Sequence, residues 1–195
     1  MTHLKTLALA AVAVTLAAAT PARADDRYDI FNFNKLFGGG NTAYVGGSSP
    51  IGRQMASIDP KYAPGTIVIS TSERRLYYVT SRGQAIRYGI GVGRQGFQWS
   101  GVKTVSAKKE WPSWTPPSQM LKRRPDLPRY MPGGIDNPLG ARAMYLGSSL
   151  YRIHGSNEPE TIGQAVSSGC FRMTNEDVVD LYNRVRVGTT VYVLR

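Results

Sequence analysis

The chain has 195 residues, with 24 Lys and Arg against 13 Asp and Glu and a formal charge of +11. That length supports one compact domain of ordinary size, and the basic surplus attracts polyanions such as anionic lipid or a carboxylate-rich polymer, or serves solubility alone. A single cysteine excludes any disulfide within the chain, leaving a reactive thiol, an intermolecular pairing or a buried inert side chain.

Residues 1–24 read as a secretory signal peptide. Lys5 precedes an apolar run from Leu7 to Ala19, and Ala22-Arg23-Ala24 is a small-x-small cleavage site. The run is about 13 residues, short of the ~20 that span a bilayer, so no stable membrane insertion is expected. Losing Lys5 and Arg23 lowers the charge by two, to +9. Export makes nucleic acid the least suitable polyanion. Residues 25–63, rich in Gly, Asn and Ser, read as a flexible lead-in without sustained periodicity.

The folded domain is expected over 64–195. Thr66–Ser70, Arg75–Val79 and Ala85–Val92 have strand character with turns between them, which points to an antiparallel sheet. Residues 107–142 then hold seven of the twelve prolines, with Trp111, Trp114 and the basic Lys122-Arg123-Arg124. Proline cannot donate to a sheet ladder, so this stretch reads as a long loop ordered by its tryptophans, placed as a lid. Ala143–Leu146 and Leu150–Ile153 read as strands. Thr174-Asn175-Glu176-Asp177 opens a helix carrying Val178, Leu181, Tyr182 and Val185 on one face, and Thr190–Leu194 closes the sheet. The expected class is mainly β with one clear helix.

Two motifs fail on context. Gly91-Val92-Gly93-Arg94-Gln95-Gly96 matches G-x-G-x-x-G, but turn and strand residues follow it rather than a helix to meet a pyrophosphate. Ser106-Ala107-Lys108-Lys109 matches S-x-x-K, yet its usual companions are absent and Pro112 follows too soon. After residue 24 one histidine and one cysteine remain, with no H-E-x-x-H, so neither a metal nor a cofactor is expected.

That pair carries the chemistry. His154 ends a strand before Gly155, and Cys170 follows Ser167-Ser168-Gly169. An imidazole can take a thiol proton, and the N–H groups of Ser168, Gly169 and Cys170 can form an oxyanion hole. Arg172, two residues on, either grips a substrate carboxylate or pairs structurally, with Asp177 as the acid considered.

The segment IHGSNEPETIGQAVSSGCFRMTNEDVVDLY resembles the active-site segment of L,D-transpeptidases of the YkuD-like (ErfK/YbiS/YcfS/YnhG) family, and the resemblance extends from about Gly65 to Leu194. Sixteen positions separate His154 from Cys170. The resemblance implies a β-sandwich-like catalytic domain with a lid, and a reaction on the cell wall. Cys170 would attack the bond after the third residue of a peptidoglycan tetrapeptide stem, releasing D-alanine and leaving an acyl-enzyme. His154 would act as general base and then acid, and Gly155, Ser156 and Arg172 would contact substrate.

A second stem's amine would give 3–3 cross-links, a lipoprotein lysine wall anchoring, and water an L,D-carboxypeptidase. Localisation in the periplasm of a Gram-negative bacterium follows. Ser168 stands where many members have histidine, and Phe171 where Ile or Val is usual. Either a backbone carbonyl or Ser156 orients His154. The competing reading is a non-catalytic wall-binding module.

Overall fold

The computed structural model describes residues 49–195. The signal peptide read over 1–24, and the lead-in as far as residue 48, lie outside the described residues.

Eleven strands, two α-helices and one 3-10 helix follow one another along the described chain. The first is β1 (Gln54–Ser57), an edge strand paired antiparallel with β4 (Gln84–Gly89). The lead-in read as flexible over 25–63 thus contains a strand at 54–57. Just before the strand, Ile51 packs into the space beside Gly89 and Gly163, where an added Cβ would lie 2.6 and 2.7 Å from it. Arg53 anchors the same stretch by reaching Asp180 at 3.3 Å.

The antiparallel hairpin of β2 (Ile67–Ser70) and β3 (Arg75–Ser81) continues into β4. Beyond β2 lies β11 (Thr190–Leu194), paired parallel, and beyond that β6 (Gly101–Glu110), paired antiparallel. Burial on both faces explains the apolar run Ile67-Val68-Ile69, all at most 3% exposed. Strand β6 serves two partners. Its first half pairs with β11, its register shifts between Val105 and Ala107, and its second half pairs with β7 (Arg142–Leu146). Strands β8 (Arg152–His154) and β10 (Phe171–Arg172) extend this second part. A bulge of this kind bends a strand and increases its twist.

Met144, Leu146, Ile153 and Phe171 from this second part meet Ile67, Ile69, Leu76 and Val191 from the first in one core. Each such side chain contributes about 1.5–3 kcal/mol of burial free energy. Helix α2 (Asn175–Arg184) adds Val178 and Leu181 to that core. Thr174 caps it by accepting the Asp177 N–H at 3.2 Å, and Lys108 closes its far end on the carbonyls of Tyr182 and Val185, both at 2.6 Å.

The proline-rich stretch is shorter than 107–142. Its first residues continue β6 to Glu110 and β7 begins at Arg142, so the excursion covers 111–141. It contains the short helix α1 (Ser118–Arg123). Trp114 and Met131 exchange backbone hydrogen bonds at 2.8 Å, and the buried Asn137 ties Pro132 to Leu139. Ser106 lies in β6 with its hydroxyl on the Gly147 carbonyl, as befits a strand residue.

Candidate active site

The two-residue parallel ladder between β8 and β10 builds the site. Phe171 sits opposite Ile153, and Arg172 opposite His154. Because side chains alternate along a strand, Ile153 and Phe171 enter the core while His154 and Arg172 share the other face. Cys170 stands two residues before Arg172, directly before β10.

His154 is 5% exposed, and its Nδ1 meets the Gly155 carbonyl at 2.5 Å. A carbonyl only accepts, so the neutral ring carries its proton on Nδ1 and leaves Nε2 as an acceptor. Burial lowers the imidazole pKa from 6.5 to about 3, with Arg172 and Arg152 adding repulsion, so the ring is neutral at physiological pH. Of the two orienting groups considered from sequence, the backbone carbonyl is the one in contact. The Ser156 hydroxyl turns away and accepts the Glu158 N–H at 3.0 Å. Gly155 and Ser156 are both buried beside the equally buried His154. Asn175 fixes that region by accepting the Ala141 N–H at 2.8 Å.

The half-buried Cys170 donates from Sγ toward the Leu150 carbonyl at 3.7 Å. Its pKa is raised above 9.0, chiefly by burial. The charges of Arg152 and Arg172, with hydrogen bonds from the Arg152 backbone and side chain, act in the opposite direction. Resting groups are thus a protonated thiol and a neutral imidazole.

The loop before Cys170 is held from both sides. Ser167 Oγ donates to the Cys170 carbonyl at 2.6 Å and accepts the Gly169 N–H at 3.1 Å. The Gly169 N–H is therefore occupied and cannot serve as an oxyanion donor in this arrangement. The Trp99 indole N–H donates to the Gly169 carbonyl at 2.8 Å, and the indole stacks on Tyr151 with centroids 4.6 Å apart. Gly169 has φ +106°, and a Cβ there would lie 2.6 Å from Tyr151 Cε1, so both backbone and space require glycine.

Arg172 is paired, but with Glu158 at 2.7 Å rather than with Asp177. Asp177 faces inward toward Arg53 at 3.7 Å. Trp99, Tyr151, Ser167 and Arg152 escaped the sequence reading. Only Arg152 left a signal there, since two residues before His154 in a strand is the same face. Gly91–Gly96 lies in strand β5 (Val92–Gly93) and a turn, with no helix N-terminus for a pyrophosphate. Among the described residues no group of three or more His, Cys, Asp or Glu is arranged to hold a metal ion.

The YkuD model, described as the L,D-transpeptidase catalytic domain, matches residues 64–193. The chain belongs to the YkuD L,D-transpeptidase family. It is 40% identical over 137 residues to the probable L,D-transpeptidase ErfK/SrfK of Escherichia coli K12, covering 66% of this chain and 43% of that protein. To the probable L,D-transpeptidase YbiS of the same strain it is 41% identical over 134 residues, covering 64% and 43%. The chain thus spans less than half the length of these relatives.

Among solved structures, L,D-transpeptidase 3 of Mycobacterium tuberculosis has a TM-score of 0.53 at 18% identity, over 67% of this chain and 60% of that one, and shares the fold. A Brucella melitensis protein named as a probable carnitine operon oxidoreductase is 48% identical, with a TM-score of 0.51 over 75% and 96%. The domain is mainly β, and its one clear helix, α2, follows the cysteine strand in the chain and packs on β7.

Proposed function

We propose that this L,D-transpeptidase domain acts on peptidoglycan stem peptides through a Cys170 acyl-enzyme. The observation that carries the reading is the β8–β10 ladder, which sets His154 opposite Arg172, itself two residues after Cys170, with His154 Nδ1 anchored on Gly155. His154 Nε2 takes the thiol proton as sulfur attacks the scissile carbonyl. The N–H groups of Ser168 and Cys170 stabilise the oxyanion, a contribution of about 10²–10³ in rate per donor. The imidazolium returns its proton to the leaving amine, D-alanine in a tetrapeptide donor. An incoming amine then displaces the thiolate. A second stem yields a 3–3 cross-link, and a lipoprotein lysine yields wall attachment.

Export to the periplasm completes this reading. It rests on the pattern of residues 1–24 and on the wall as the substrate's location. The 111–141 excursion reaches the turn after β5 through Arg123, whose guanidinium lies 5.3 Å from the Phe97 ring, and the Phe97 carbonyl lies against Gly169, which supports a role as a lid.

Intact-protein mass spectrometry after carbapenem treatment tests the nucleophile. A covalent adduct is expected on the wild type and none on Cys170→Ala; an unmodified wild type refutes the reading. Muropeptide separation then assigns the acceptor, since 3–3 dimers, bound lipoprotein and free tripeptide stems are distinct products.

A further inference from the structure

Arg152 is a guanidinium beside the nucleophile with no carboxylate of its own. Arg172 has Glu158, Arg142 has Glu110 and Arg184 has Asp180, whereas no acidic side chain pairs with Arg152 among the described residues. Its Nη1 donates to the Leu150 carbonyl at 3.1 Å, the same oxygen toward which the Cys170 thiol points at 3.7 Å. Its Nε is buried and carries no hydrogen-bond partner. The Tyr145 ring, 5.1 Å from Cζ, holds the guanidinium from another side. A buried donor without a partner is costly until an acceptor satisfies it, and at Arg152 that donor belongs to a cation, which favours an anion. The anion that chemistry can generate at this place is the Cys170 thiolate.

We propose that Arg152 is a positioning residue that receives the Cys170 thiolate, turning the sulfur from the Leu150 carbonyl and supplying the counter-charge that the neutral, buried His154 lacks at rest. The charged and titratable groups around the sulfur are Arg152, His154 and Tyr151 on the β8 side and Arg172 on β10, the last already neutralised by Glu158. When the thiol loses its proton to His154, the S–H bond breaks, an N–H bond forms at Nε2, and the negative charge on sulfur falls against the guanidinium. Burial alone raises the thiol pKa, and Arg152 opposes that through charge and hydrogen bonding.

The proposal rests on Cys170 being the nucleophile but on no particular acyl donor. Alkylation by iodoacetamide therefore tests it separately from the wall reaction. Its pH–rate profile is measured on the wild type, Arg152→Gln and Arg152→Lys. At neutral pH Arg152→Gln is expected to react roughly three- to tenfold more slowly, because losing an opposite charge at close range reduces the thiolate fraction. Above the inflection it reacts faster than wild type, because a more basic thiolate is the better nucleophile.

Arg152→Lys, which keeps the charge, restores much of the neutral-pH rate. A crossing of the two profiles with lysine rescue supports the role. Parallel profiles at equal inflection, or a uniform loss at every pH in either variant, overturn it. Carbapenem acylation measured alongside distinguishes the outcomes: loss of acylation in a wild type that still alkylates normally refutes the transpeptidase reading and leaves this one standing.

Discussion

Trp99 donates its indole N–H to the carbonyl of Gly169, the peptide unit whose nitrogen belongs to Cys170. In a trans peptide the carbonyl and the N–H point in opposite directions, so fixing one aims the other. Trp99 thereby orients the Cys170 N–H. Trp99→Phe keeps an aromatic ring on Tyr151 but releases the carbonyl. Acyl transfer is expected to fall about tenfold or more, while the fold loses only about 1 kcal/mol. Steady-state kinetics beside a denaturant melt would show it, and an unchanged kcat/KM would remove Trp99 from the oxyanion geometry.

Gly155 is held as tightly behind His154. A Cβ at Gly155 would lie within 2.5 Å of Asn175 Oδ1 and 3.1 Å from the Ala141 nitrogen. Gly155→Ala should displace the carbonyl that receives His154 Nδ1, cutting activity by at least tenfold and lowering stability by about 1–3 kcal/mol. Equal activity at lowered stability would show that the imidazole keeps its orientation without that carbonyl.

Two buried groups give opposite pH responses. His154 has its pKa lowered to about 3, so between that value and 6.5 the folded chain binds fewer protons than the unfolded chain. Stability from this group is complete above 6.5 and is lost as pH falls toward 3. Asp177 has its pKa raised from 3.8 to about 6, chiefly by burial, so the folded chain binds more protons across that interval. Its contribution is present below 3.8 and is lost as pH rises through 6. His154→Asn, whose amide can still reach Gly155, should therefore flatten the acid loss. Asp177→Asn should steepen it and stabilise the fold at pH 7. Urea melts at pH 4, 5, 6 and 7 measure both slopes, and identical slopes in all three proteins would contradict the assignment.

Glu158 occupies the guanidinium that a substrate carboxylate would use. The acid is exposed, so the pair contributes at most about 1 kcal/mol to stability. If Arg172 grips the stem peptide, Glu158→Gln lowers KM severalfold with kcat and melting temperature nearly unchanged, and Arg172→Gln raises KM. A Glu158→Gln enzyme with unaltered KM would leave Arg172 a structural role alone.

Local features were legible in the sequence and distant partnerships were not. The β2–β3 hairpin and the Thr174 cap are written in adjacent residues, and so is the order His154-Gly155 and Gly169-Cys170. By contrast, the partner of Arg172 depends on which way Asp177 turns, and Asp177 turns toward Arg53, more than a hundred positions away in the chain. Strand β1 was hidden by its Gly- and Ser-rich surroundings, because its pairing depends on β4 and on Ile51 rather than on its own pattern. The parallel ladders of β2 with β11 and of β8 with β10 join segments with no turn between them to announce the pairing. Arg152 lay within reach of the alternation rule, but its lack of a carboxylate became visible only with its neighbours in place.

Strand β11 is the domain's last strand, yet it lies between β2 and β6 in the sheet. Until residues 190–194 exist, β2 and β6 have no shared neighbour, and the two parts of the core cannot close on each other. Folding therefore waits for the end of the domain, and contacts this distant in sequence make it slow. A nascent chain with this arrangement stays open until its last strand has been made.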